Sequence, residues 1–212
     1  MFSLFKKKET VKKRTLNHLG EIEKSDLITF KSRSILPAAI QDQTLTIKAV
    51  QAYQYDDGLA PEFVLQLPNG NSFTAMCSDE GEDTITLSKQ LSHEQITTLF
   101  SADELGEIFT NENSATLTVL SEHIYSDLEG WLADSYFRTI HNAGGYFYSE
   151  DRRSVGASEY ADDGSEELRY HECQGAPNHF SMSIEIWDDG STDIFVQVTL
   201  PHNVIAEMWP HG

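Results

Sequence analysis

From Asp26 onward, apolar and polar positions alternate with a period of two in LITFK (27–31), LTIKAVQAYQY (45–55), EFVLQL (62–67) and SFTAMC (72–77). β-Branched and aromatic residues fill these runs and turn formers bound them, which predicts four strands. The Asn-Gly pair in PNGN (68–71) suits a tight hairpin that folds 62–67 back on 72–77, and DDGLAP (56–61) supplies another turn. The period then changes to helical. Ser92 with Gln95 makes a capping box ahead of Ile96, Leu99 and Phe100, and Ser101 with Glu104 repeats that signal ahead of Leu105, Ile108 and Phe109.

Alternation returns in ATLTVL (115–120), SYFRTI (135–140), GYFYS (145–149), ELRYHEC (167–173), FSMSIEIW (180–187) and DIFVQVTL (193–200). The Asp-Gly turn in WDDGSTD joins the last two, with Met182, Ile184 and Ile186 on one face and Ile194, Val196 and Val198 opposite. Gly144-Gly145, lying between two extended runs, reads as a hairpin corner and not as a phosphate loop, because no helix start follows it. Pro201 is expected to end regular pairing and leave a short polar tail. The fold class expected is α+β, mainly antiparallel β-sheet with a short helical insert near 92–109. A basic tail (1–15) precedes two β-rich subdomains, 16–110 and 111–212, with one continuous domain as the alternative.

Charge changes the picture more than composition does. The 212 residues carry a net charge of −19, but residues 1–14 hold six bases against one acid (+5) and the rest holds nine bases against 33 acids (−24). An acidic body repels phosphate backbones, so nucleic acid is disfavoured, while a basic protein, a polyamine or a divalent cation is attracted. Beyond Lys89 the only bases other than histidine are Arg138, Arg152, Arg153 and Arg169. Flanked by Glu150 and Asp151, the middle two read as structural ion pairs. The leader, with Phe2 and Phe5 beside Lys6, Lys7 and Lys8, offers a weak membrane or partner contact, against the plainer reading of a solvated terminus. It lacks the apolar core of a secretory signal, and two cysteines are too few for a disulfide framework, so a cytoplasmic location is expected, with a membrane-proximal one as the alternative that the leader offers.

Candidate chemistry is sparse. His171 and Cys173 share one face of a strand and His179 follows, a ligand set suited to zinc, with Cys77 able to arrive from another strand. Against it, no C-x-x-C or H-E-x-x-H occurs, and a buried cysteine is commonly a small hydrophobe. Asp162, Asp163, Glu166 and Glu167 form the densest acidic cluster, a place to collect a cation or a solvated loop. Trp131, Trp187 and Trp209 with eight tyrosines line either a pocket or a core. No catalytic or cofactor motif is recognisable, which with the charge split points to recognition without bond-making; the alternative is an enzyme or metal-binding protein built around His171, Cys173 and His179.

The run from DLITF through ILPAAI, LTIKAVQAYQYDDGLAPEFVLQL and SFTAMC, within residues 16–100, resembles small bacterial β-rich domains encoded beside phage-shock-protein-A-like and polyamine-synthase genes. That resemblance implies an accessory protein of envelope stress or polyamine handling, with no assigned enzymatic activity, and carries over no functional residue.

Overall fold

The computed structural model describes residues 14–77, 83–110, 114–120, 125–157 and 164–211. The basic tail with Phe2, Phe5, Lys6, Lys7 and Lys8, and the acids Asp162 and Asp163, lie outside the described residues.

In chain order the described elements are β1 (Leu27–Phe30), β2 (Thr44–Tyr55), β3 (Gly58–Gln66), β4 (Ser72–Cys77), β5 (Thr84–Gln90), α1 (His93–Leu99), α2 (Ala102–Ile108), β6 (Thr116–Thr118), β7 (Ser135–Tyr148), β8 (Glu166–Ala176), β9 (Phe180–Trp187), β10 (Thr192–Pro201) and β11 (Ile205–Trp209). The structure is mainly antiparallel β-sheet with two short helices. The strands form one sheet in the order β11-β1-β2-β3-β4-β5-β10-β9-β8-β7-β6, and β2 also pairs with β7. That last pairing, Ala52 to Gln54 against Tyr148 to Tyr146, closes β2-β3-β4-β5-β10-β9-β8-β7 into a ring. Closure removes exposed edges from the ring strands where they pair. The ring draws on both halves of the chain, because β5 pairs with β10 and β2 with β7.

Local expectations hold at the turns. Leu67 and Asn71 bracket the Asn-Gly turn, and Trp187 with Ser191 brackets the Asp-Gly turn, so that Ile184 faces Ile194 and Met182 faces Val196. At α1 the capping box is present: Ser92 Oγ accepts from the Gln95 amide (3.2 Å) and Gln95 Oε1 from the Ser92 amide (2.9 Å). At α2 it is absent, because Glu104 accepts from the amide of Thr118 (2.8 Å) and fastens the helix to β6.

Two expectations fail for identifiable reasons. Gly144 and Gly145 turn no corner: they lie inside the continuous strand β7, opposite Arg169 and Leu168 of β8, with bulges between Arg138 and Ala143 taking up the irregularity. A Cβ on Gly145 would lie 3.2 Å from the ring of Tyr55, so the glycine admits that ring beside the β2–β7 seam. Nor does Pro201 end the pairing. It stays in register with Thr84, and after a short turn Ile205–Trp209 forms β11 against β1. Asp26, fully buried, accepts from Arg14, from the Glu23 amide (2.8 Å) and from the His211 amide (2.7 Å), which ties the last described residue to the β1 entry.

The two faces of the ring differ. Phe195, Gln197 and Thr199 of β10 line a cavity together with side chains from β2, β3, β4, β5, β8 and β9. A space bounded by seven of eight ring strands is the interior, so these residues point inward. Their neighbours Val196, Val198 and Leu200 therefore point outward, yet they are fully buried, as are Leu87, Ile184 and Phe63. They belong to one apolar cluster with Leu19, Ile22, Leu36 and Ile40 from the N-terminal segment and with Leu99, Phe100, Leu128 and Trp131 from the helical segment. Those segments wrap the ring, which puts the hydrophobic core outside it and leaves the interior polar.

Candidate functional site

The interior cavity has a volume of about 320 Å³. Strand alternation determines its chemistry: β9 sends Ser181, Ser183 and Glu185 inward while Met182 and Ile184 face the core, and β3 sends Glu62 inward between Pro61 and Phe63. Tyr53 of β2 and Glu185 of β9 come from strands that are not neighbours in the ring, and the Tyr53 hydroxyl donates to Glu185 Oε2 across the interior at 3.1 Å. Gln51 Nε2 donates to Glu62 Oε2 at 2.5 Å. The wall carries a polar network in which Gln197 Nε2 donates to Ser88 Oγ (3.2 Å), Gln197 Oε1 accepts from Ser181 Oγ (3.0 Å), and the hydroxyls of Thr86 and Thr199 meet at 2.9 Å.

Aromatic rings flank the acids. Tyr53 stacks on Tyr55 with centroids 5.7 Å apart, Phe147 tilts against Tyr53 at 5.2 Å, and Trp187 meets Phe147 edge-on at 5.7 Å. The indole N–H of Trp187 donates to Asp193 Oδ2 at 2.9 Å. Glu172, exposed, marks where the cavity meets solvent.

Glu62 and Glu185 are each only 5% exposed. Burial, reinforced by the Glu62 charge, pushes the Glu185 carboxyl up to about 8, and burial lifts Glu62 as well against hydrogen bonds from Thr74 and Gln51. The same burial and the two nearby carboxylates hold the phenols of Tyr53 and Tyr55 far above their ordinary range. Among the described residues no lysine, arginine or histidine lines the cavity. Two buried acids in an aromatic setting without a counter-cation make a space that is electrostatically unsatisfied by the protein alone.

Residues singled out by the sequence fall elsewhere. His171 and Cys173 do share one face of β8, opposite Ile184 and Met182, but that face is the apolar core side. His171 Nδ1 accepts from the Asn142 amide (3.2 Å), its ring meets His141 (4.9 Å) and Phe109 (5.4 Å), and burial lowers it to about 4. Burial pushes the Cys173 thiol up to about 12, which suppresses the thiolate a metal needs. His179 packs on Phe180 ahead of β9, and among the described residues no group of three or more His, Cys, Asp and Glu side chains comes together to hold a metal ion. The zinc reading is therefore not assembled: strand alternation aims two of its ligands into the core, and the third stands on a separate loop.

Glu166 and Glu167 open β8 and line a second space of about 640 Å³ with Asp188, Asp189, Asp193 and Trp187. Ser191 engages Asp189 through its hydroxyl and its amide (2.8 Å), which together hold the carboxyl below the usual range. The arginines act as internal clamps. Arg153 pairs with Asp151 (2.5 Å) and donates to the Gly20 carbonyl (2.5 Å), Arg152 pairs with Glu150 (3.2 Å) over the Tyr148 ring, and Arg138 Nη1 donates to the carbonyls of Ile108 (2.5 Å) and Thr110 (2.7 Å) at the end of α2.

Glu62, Glu185 and Tyr53 carried no motif. Their signal was the polar alternate positions of strands whose other face is apolar, a pattern that open sheets use toward water. Among the described residues no helix is long and apolar enough to cross a membrane. No family model, curated protein or solved structure matches the chain.

Proposed function

We propose that this protein is a non-enzymatic binding protein that captures a small organic cation of the polyamine class inside the strand ring. The observation that carries the reading is the buried pair Glu62 and Glu185, facing a cavity bordered by Tyr53, Tyr55 and Phe195 with no basic side chain on its described walls. Ammonium groups pair with carboxylates and their methylenes lie on aromatic faces, so this lining matches a linear amine in both charge and shape. Glu172 at the rim offers a second carboxylate to a ligand with more than one ammonium group. The charge of the acidic body, −24 beyond residue 14, raises the local concentration of such cations. An accessory role in polyamine handling or envelope stress, which the sequence resemblance implies, agrees with capture of this kind.

A second reading, docking of a basic protein, is favoured by the acidic groove with Glu166, Glu167, Asp188, Asp189 and Asp193. Calorimetric titration with spermidine separates the two. Cavity capture is expected to survive moderate salt, because buried charges are screened less, and to weaken at least about tenfold in Glu185→Gln. Loss of binding on Glu167→Gln but not on Glu185→Gln would move the site to the groove.

A further inference from the structure

This inference rests on the reading of the cavity as a cation site and concerns its proton balance. The donors to the two acids are neutral, Gln51 at 2.5 Å with the Thr74 hydroxyl for Glu62 and Tyr53 at 3.1 Å for Glu185, and no cation acts on either among the described residues. The titratable groups that face the pair are Tyr53 and Tyr55 from β2, Cys77 from β4, Glu172 from β8 and Asp193 from β10. β5 and β9 add only hydroxyl side chains, and β7 adds Phe147 against Tyr53. Every titratable neighbour is neutral or negative at pH 7, so each disfavours a second negative charge. Placing two unpaired carboxylates in one low-dielectric space costs several kcal/mol, and such pairs titrate in separate steps.

We infer that the ligand-free cavity retains a proton on the Glu62–Glu185 pair and that an entering ammonium group displaces it, so that capture is coupled to proton release. The balance is simple: the carboxylic acid O–H breaks, its proton leaves to solvent, and the carboxylate left behind pairs with the N–H donors of the ammonium, whose own protons stay in place. No electron is transferred. Burial, which lifts both carboxyls and Glu185 to about 8, works in the same direction. Affinity therefore rises about tenfold per pH unit while the pair holds its proton, levels off as pH passes about 8, and falls again when the free amine itself deprotonates.

Two measurements on the full chain test this. Spermidine is titrated calorimetrically at pH 7 in two buffers of different ionisation enthalpy, and the carboxylic acid C=O stretch is followed by infrared spectroscopy before and after spermidine. The expected results are release of about one proton per spermidine and a protonated-carboxyl band that vanishes on binding and is weakened in Glu185→Gln. Glu172→Gln, at the rim, is expected to lower affinity while leaving the proton count unchanged. Binding without proton release, or no protonated-carboxyl band in the ligand-free protein, overturns the inference and leaves the cation reading in place. Absence of binding to spermidine at any pH overturns the cation reading and the coupling with it.

Discussion

Adjacent residues of the same strands live in opposite environments in this protein. On β5, Leu87 points out of the ring and is fully buried, whereas Ser88 points inward and accepts a hydrogen bond from Gln197. On β10, Val196 and Val198 join the outer core while Gln197 and Thr199 line the cavity. Small barrels ordinarily fill their interior with side chains and turn polar residues to water. Here the wrapping segments supply an apolar layer outside, so stability is concentrated on the outer face and the inner face is free to hold polar groups that would weaken a core. A period of two divides the polar lining from the apolar core.

The sharpest way to break that contrast is to truncate both members of one pair. Leu87→Ala is expected to cost about 2–5 kcal/mol, because its methyls sit in a closed cluster, and Ser88→Ala about 1 kcal/mol or less, in urea unfolding at neutral pH. Equal losses would erase the distinction between the faces.

Next in size is the inner acid. The folded-state carboxyl of Glu185 is raised, so the native state holds its proton where the unfolded chain has released it, and stability falls as pH rises from about 4.5 through about 8. Glu185→Gln lacks that loss and is expected to be more stable than the parent at pH 9 by several kcal/mol, with the difference shrinking toward pH 4.5. Parallel stability profiles for the two proteins would show that this acid is not kept protonated.

An outer-face titration runs the other way. His171 is held neutral in the core, so the unfolded chain takes up a proton first and stability is lost as pH falls from 6.5 toward about 4. His171→Gln, which keeps an acceptor for the Asn142 amide, is expected to flatten the upper part of that decline by about 1 kcal/mol. The smallest effect belongs to the seam: Gly145→Ala brings a Cβ to 3.2 Å from Tyr55, which costs about 1 kcal/mol or less if the ring yields, with a changed near-ultraviolet tyrosine signal as the readout. An unchanged signal would mean that Tyr55 does not rest on this glycine.

Much of the strand content was legible because alternation and turn chemistry are local. Asn69-Gly70 and Asp189-Gly190 announce their hairpins, Ser92 and Gln95 announce α1, and the pairing of Met182 and Ile184 with Val196 and Ile194 follows from one turn. Gly144-Gly145 misled because the same dipeptide serves a hairpin corner and a close approach, and only the position of Tyr55 in space tells them apart. The candidate site was invisible for a related reason: Glu62 and Glu185 lie far apart in the chain, and polar alternates on a strand look alike whether they face water or a lumen.

Residue order alone thus determined the alternating strands, their tight turns, the capped first helix and the strongly negative body, all of which depend on neighbours within a few positions or on simple counting. Which face of each strand became the inside was decided only by the β2–β7 seam and by the segments that wrap the ring. Those contacts join residues distant in the chain, and it is they that turn polar positions readable as solvent-facing into a buried acidic cavity.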